Sequence, residues 1–222
     1  MVTVFYTFLH AKDQLRLAQW SPRNDPPAYR ERLERMADAG ARSRTRAGLW
    51  LLQQLLSSDG HTQDDLARIG FSASGQPQIA GAPAFSISHS DTLVACALCD
   101  HTRIGLDVER RRLRDMHRMA RLLDGDERRH VEHAPLAFFD YWCAREATVK
   151  ASGRVGLKRI RALELKGDRA RLDERDWYLK AIELDPDHAA CLASDGPIET
   201  VALRELSLAD AENTDRQRSW DR

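Results

Sequence analysis

The chain opens on an apolar run, Val2 to Leu9, whose β-branched and aromatic residues predict a first strand. Trp20 to Pro27, with Pro22, Asn24, Asp25, Pro26 and Pro27, reads as turn. A charged helical stretch follows from Tyr29 to about Ala39, where Gly40 ends it. From Ala41 to Ser57 the leucines at 49, 52, 55 and 56 fall on one helical stripe, which predicts a core-facing helix. A short helix around Asp64 to Ile69 and a loop from Gly70 to Pro83 with one brief strand come next. Phe85-Ser86-Ile87-Ser88 then alternates apolar and polar, the period of a half-buried strand. With Leu93–Leu98 and Ile104–Glu109 it predicts an antiparallel meander joined by short polar turns.

Beyond it, Leu113, Met116, Ala120 and Leu123 predict a helix from Arg110 to Leu123, and a second runs from Phe138 to Ser152. Strand-like runs at Trp177–Leu184, Ala189–Ser194 and Glu199–Leu206 alternate with turns at Asp185-Pro186 and Asp195-Gly196-Pro197. Both halves therefore hold helices and antiparallel strands, which is the α+β class. Element content divides the chain into residues 1–104 and 105–207, with a polar tail over 208–222.

Composition adds little bias. The 222 residues are 42% hydrophobic and 31% charged, with 34 basic and 34 acidic side chains. That balance implies no whole-protein attraction to nucleic acid or to an anionic membrane. No apolar run approaches the roughly 20 residues of a membrane span, and the first strand lacks a basic leader and cleavage site, so a cytoplasmic protein is expected. Cys96 and Cys99 match C-x-x-C, but residues three apart on a strand face opposite ways, so buried, reduced thiols are expected at Cys96, Cys99, Cys143 and Cys191.

The candidate chemistry lies in two segments. In Ile104-Gly105-Leu106-Asp107-Val108-Glu109 the two carboxylates share a strand face. In Trp142-Cys143-Ala144-Arg145-Glu146-Ala147-Thr148-Val149-Lys150, Glu146 and Lys150 share a helix face at i, i+4. Together they would make three carboxylates and an ammonium, equipment for a hard divalent cation and a phosphate. Asp107 and Glu109 read equally as a solvated strand face. Gly105 in the strand suggests that another backbone comes close. No G-x-S-x-G surrounds a serine and no P-loop is present, so neither a nucleophile elbow nor a Walker site is indicated. The Ser88-His89 pair at a strand end suits a surface turn or a phosphate contact. Arg114, Arg118 and Arg121 form either a solvated helix face or a docking surface for an acidic partner.

Phe85-Ser86-Ile87-Ser88-His89-Ser90 and the two segments above, in this order, resemble the 4′-phosphopantetheinyl transferases of the surfactin synthetase-activating (Sfp-like) type. The resemblance spans residues 85–150 and reaches weakly to Arg44-Thr45. It implies a pseudo-dimeric monomer of two similar α+β halves with coenzyme A between them. It implies transfer of phosphopantetheine to a serine of an acidic acyl or peptidyl carrier protein of fatty acid, polyketide or nonribosomal peptide synthesis, with release of 3′,5′-ADP. Asp107, Glu109 and Glu146 fall at the family's Mg²⁺ ligands, and Glu146 and Lys150 at its catalytic positions. Ser88, His89, Arg44, Thr45 and Lys150 fall at coenzyme A contacts. Two positions depart. Gly75-Gln76-Pro77 has glutamine where a basic residue is usual, so one phosphate contact is either missing or supplied by another residue such as Arg23 or Arg42, and Arg145 stands where lysine is common. Other metal-assisted phosphate chemistry on a nucleotide, and a non-catalytic coenzyme A or carrier-binding module, are the rival readings.

Overall fold

The computed structural model describes residues 1–100, 103–113, 119–154 and 156–209, with the backbone alone at 21–24 and 63. The first part contains β1 (Val2–Phe8), α1 (Asp13–Asn24), α2 (Pro27–Arg35), α3 (Ala39–Ser58), α4 (Gln63–Ala67), β2 (Gly70–Phe71), β3 (Pro77–Gln78), β4 (Ala84–Ser90) and β5 (Leu93–Cys99). The second contains β6 (Ile104–Arg110), a 3₁₀ turn (Ala120–Leu122), α5 (Gly125–His133), α6 (Ala137–Ala151), α7 (Leu157–Ala162), β7 (Glu164–Lys166), β8 (Arg169–Leu172), β9 (Arg175–Ala181), β10 (His188–Ser194) and β11 (Val201–Glu205). Mixed α+β architecture with largely antiparallel sheets is what the sequence led one to expect.

Four layers stack as helix, sheet, sheet, helix. The first sheet has the order β11-β1-β5-β4 and the second β6-β10-β9-β8-β7, with β2 and β3 forming a small ribbon. The leucine stripe of α3 packs with Phe5, Phe85, Cys96 and Leu98 on the outer face of the first sheet. On the second sheet α6 packs Phe138, Trp142 and Ala147 against Trp177 and Cys191. Val2, Val4, Leu93, Ala95, Leu106, Val108, Ala190 and Leu192 fill the space between the sheets. Strands β5 and β10 are buried at all seven positions because both faces of each are covered. Such strands read as continuous runs of small and apolar residues, LVACALC and HAACLAS, without alternation. The alternation within β5 still decides the cysteines. Cys96 joins the core under α3 and Cys99 the core between the sheets, and all four cysteines are free and buried.

Several expectations are corrected. Strands β4 and β5 form the expected antiparallel hairpin, but β6 leaves their sheet and pairs with β10 in the other. No meander of three results. Instead β4 and β6 meet edge to edge through side chains: Ser86, Ser88 and Ser90 Oγ accept the backbone N–H of Leu106, Val108 and Arg110 at 2.9, 3.3 and 3.0 Å. Trp20 and Pro22 lie in α1, not in a turn. Leu17 is buried, Trp20 packs on the core, and the Trp20 Nε1–H donates to Gln53 Oε1 at 3.3 Å, so tertiary contact outweighs the helix-breaking tendency of proline. Arg110 ends β6 instead of starting a helix, and Ala120–Leu122 is only a 3₁₀ turn. Arg114, Met116 and Arg118 lie outside the described residues, as does the tail beyond residue 209. The last strand, β11, pairs parallel with β1 at the edge of the first sheet. Helices α5 and α7 and strands β7 and β8 were not expected.

Candidate functional site

Gly105 is the structural key to the site. A Cβ there would overlap the carbonyl oxygen of Ala147 and reach within 2.6 Å of Ala151 N, so only glycine lets the backbone of α6 lie against β6. Ile104, Leu106 and Val108 turn toward the other sheet and join the core between them. Asp107 and Glu109, at the alternate positions, share the α6 side with Gly105, where Glu146 and Lys150 stand one helical turn apart. The close approach expected from the sequence is present.

Lys150 Nζ donates to Asp107 Oδ1 at 2.7 Å, to Ser88 Oγ at 2.9 Å and to the Leu106 carbonyl at 3.1 Å. Ser88 Oγ donates in turn to Asp107 Oδ1 at 2.9 Å, and Ser90 Oγ to Glu109 Oε2 at 2.9 Å. Asp107 is 4% exposed, and its Oδ2 is buried without a hydrogen-bond partner. Burial, then the Asp107 carboxylate, pushes the Glu109 carboxyl up to about 6, with Glu146 adding and Ser90 and Lys150 opposing. Burial and then Asp107 also raise Glu146, against Lys150. The three carboxylates therefore sense one another as like charges. Burial above all, then Asp107, keeps the Cys143 thiol well above its usual range, so it is an inert neighbour.

Among the described residues no three or more His, Cys, Asp and Glu side chains already form a group able to hold a metal ion. The donor set nonetheless suits one. Its atoms are hard oxygens, Asp107 presents a buried oxygen that nothing satisfies, and burial and then the Asp107 charge raise Glu109 and Glu146. Such a site is stabilised by a cation.

His89 is exposed at the end of β4. The protein atoms crowding it, then Arg44 and Lys150, lower its pKa and favour the neutral ring. That coupling brings Arg44 and His89 into the electrostatic neighbourhood of Lys150. Thr45 takes no visible part: its hydroxyl donates to the Ala41 carbonyl at 3.0 Å within α3. Ser88 is 6% exposed, and its one proton and two lone pairs are engaged by Asp107, Lys150 and Val108. Gln76 Nε2 donates to the Lys150 carbonyl at 3.0 Å, and Ser74 Oγ donates to the Gly153 carbonyl, fastening the 72–77 loop to the end of α6. Arg42 is turned to the carbonyls of Met36 and Ala37, away from this loop. The side chain of Arg23 lies outside the description.

Arg145, at the position where lysine is common in the resembled family, keeps the positive charge but spends it on Glu127. It is 1% exposed and binds Glu127 with Nη2 at 2.7 Å and Nε at 3.2 Å, and its Nη1 donates to the carbonyls of Ile160 at 2.7 Å and Leu163 at 2.8 Å. It ties α5, α6 and α7 together. Beside Lys150 a pocket of about 170 Å³, lined also by Ser86, Gln76 and Gly153, shares the last two with a groove of about 780 Å³ walled by Ser72, Ser74, Arg103 and Arg154.

The three carboxylates and Lys150 lie in one stretch of the chain. Residues 103–195 match the family model of the 4′-phosphopantetheinyl transferase superfamily. The matched stretch runs from β6 through β10 and contains Asp107, Glu109, Glu146 and Lys150; Arg44, Thr45, Ser88 and His89 lie outside it. No curated protein matches the chain. The superfamily match points to transferase chemistry with phosphopantetheine as the transferred group and, in general terms, to coenzyme A and carrier proteins as partners. No helix among the described residues is long and apolar enough to cross a membrane.

Proposed function

We propose that this chain is a phosphopantetheinyl transferase of the surfactin synthetase-activating type, moving the 4′-phosphopantetheine arm of coenzyme A to a serine of an acyl or peptidyl carrier protein. The observation that carries the proposal is the convergence of Asp107 and Lys150, with Glu109 and Glu146 beside them, inside the stretch matched to the superfamily. The two sheets also support a pseudo-dimer. In the first, strand β1, helix α3 and hairpin β4–β5 give the order β1-β5-β4. In the second, strand β6, helix α6 and hairpin β9–β10 give the corresponding order β6-β10-β9. Coenzyme A would bind in the cleft between them.

Asp107, Glu109 and Glu146 would hold Mg²⁺, which supplies charge neutralisation at the pyrophosphate when bound. Lys150 exchanges one of its three protein acceptors for a phosphate oxygen, and His89 and Arg44 contact phosphates at the rim of the site. Glu146, one helical turn before Lys150 on the same face of α6, accepts the proton of the carrier serine, directly or through water. The serine oxygen forms a bond to the β-phosphorus while the bond from that phosphorus to the 3′,5′-ADP oxygen breaks. Holding the two reactants in line accounts for much of the acceleration.

An acidic carrier docks on the segment from Arg110 to Arg128. Arg110 and Arg112 are paired with Asp91, and Arg111 with Asp140, so Arg121 and Arg128 are the described cations there without an acidic partner. The deciding experiment incubates the chain with apo-carrier proteins of several pathways, coenzyme A and Mg²⁺, and weighs the carriers by mass spectrometry. A mass gain of one phosphopantetheine, absent with Asp107→Ala, is expected. Unmodified carriers with nucleotide hydrolysed, or coenzyme A bound and unchanged, would overturn the proposal in favour of the other phosphate chemistry or the binding module.

A further inference from the structure

Strand β4 carries serine at three successive positions of one face, and each hydroxyl accepts a backbone N–H from β6. Two of the three also donate to a carboxylate. Ser88 reaches Asp107 Oδ1 and the N–H of Val108; Ser90 reaches Glu109 Oε2 and the N–H of Arg110. Each thus bridges the side chain of one residue and the N–H of the next. Ser86 stands in the same relation to Gly105 and Leu106, but Gly105 offers no side chain. The molecule therefore contains its own internal control.

A serine hydroxyl has one proton and two acceptor lone pairs. With a β6 N–H occupying one lone pair, the rotor is fixed and the proton points to the neighbouring carboxylate. Asp107 Oδ1 is thereby engaged by Ser88 and Lys150, while Oδ2 is left buried and unpartnered. One oxygen of Glu109 is engaged in the same way by Ser90.

We infer that Ser88 and Ser90 are positioning residues that aim Asp107 and Glu109 at a shared hard divalent cation, whereas Ser86 serves only the seam between the two sheets. The inference rests on the reading of these carboxylates as metal ligands. Hydrogen-bond partners that orient ligating carboxylates affect metal affinity by about 10- to 100-fold.

The test is Mn²⁺ binding to the full chain, by titration calorimetry with and without coenzyme A, alongside thermal melts of metal-free protein. Ser90→Ala and Ser88→Ala are expected to weaken Mn²⁺ binding about 10-fold or more, while Ser86→Ala leaves it within about twofold of the parent. Ser86→Ala and Ser90→Ala lower the metal-free melting temperature by small amounts, because each abandons a backbone N–H at the seam, and Ser88→Ala by more, because it also leaves Asp107 and Lys150. Ser90→Thr keeps the hydroxyl and restores affinity. Ser90→Ala is the cleaner variant, since Ser88 also touches Lys150. Unchanged Mn²⁺ affinity in Ser90→Ala, or an equal loss in Ser86→Ala, overturns the positioning role while leaving the metal site standing. A parent chain that binds no Mn²⁺ in either condition overturns the metal reading and this inference together.

Discussion

Replacing Gly105 by alanine tests the packing on which the whole site depends. The added methyl meets backbone, not a side chain that could rotate away: the Ala147 carbonyl and, at 2.6 Å, Ala151 N. Ordinary contact begins at 3.4 Å and the Ala147 carbonyl oxygen is the nearer obstacle, so α6 must retreat from β6 by about 1.4 Å. The same displacement along the bond would stretch the Lys150 Nζ to Asp107 Oδ1 distance from 2.7 Å to about 4 Å, past the limit of a hydrogen bond. Overpacking of a tight core costs about 1–3 kcal/mol, and two backbones with no free rotamer place this site at about 3 kcal/mol. For a chain of this size that lowers the melting temperature by roughly 6–12 °C. Gly48→Ala is the matched control. Its Cβ would meet the Ile87 Cγ2 methyl at 2.6 Å, a side chain that can move, inside a helix that favours alanine by up to about 1 kcal/mol. Urea denaturation of the two variants and the parent is the assay. A Gly105→Ala protein within about 0.5 kcal/mol of the parent, or no worse than Gly48→Ala, would refute the reasoning.

Three further outcomes follow from the geometry. Arg145→Leu, which leaves Glu127 buried and unpaired, should cost about 3–5 kcal/mol, and Arg145→Leu with Glu127→Leu markedly less than the single change; additive losses in a denaturation cycle would contradict a buried pair. None of the four thiols should react with a disulfide reagent at pH 8 in the native state, because all are buried and burial pushes Cys191 up to about 12; four should react after unfolding, and any native reaction of Cys191 or Cys143 would disprove the burial. Arg121→Glu should raise the KM for an acidic carrier protein and leave coenzyme A affinity unchanged, with steady-state kinetics and calorimetry as the readouts; the parallel change at Arg118 concerns a residue outside the described structure.

Much of the site was legible because its spacing is local. A two-residue step on a strand puts Asp107 and Glu109 together, a four-residue step on a helix puts Glu146 and Lys150 together, and a glycine in an apolar strand announces a close neighbour. Other roles were hidden because they depend on which chain segment lies opposite. Nothing local shows that Ser86, Ser88 and Ser90 face the N–H groups of β6 and not a solvent edge. Arg145 precedes Glu146 in the helix, but 100° of rotation turns it to Glu127 and the carbonyls of α7. Likewise Gln76 looked like a missing cation, and its amide caps the end of the helix that carries Lys150.

Periodicity and composition by themselves determined the class of elements, the α+β character, the reduced and buried cysteines and the pairing of two carboxylates on one strand face. These follow from the 2.0 and 3.6 residue periods and from local sterics, which act over a few residues. Tertiary structure decided that β6 leaves the β4–β5 hairpin for a second sheet, that β11 returns to β1, and that three serines join the sheets and hold the carboxylates. Those outcomes depend on burying both faces of β5 and β10 and on satisfying the edge N–H groups of β6, requirements set by segments distant in the chain.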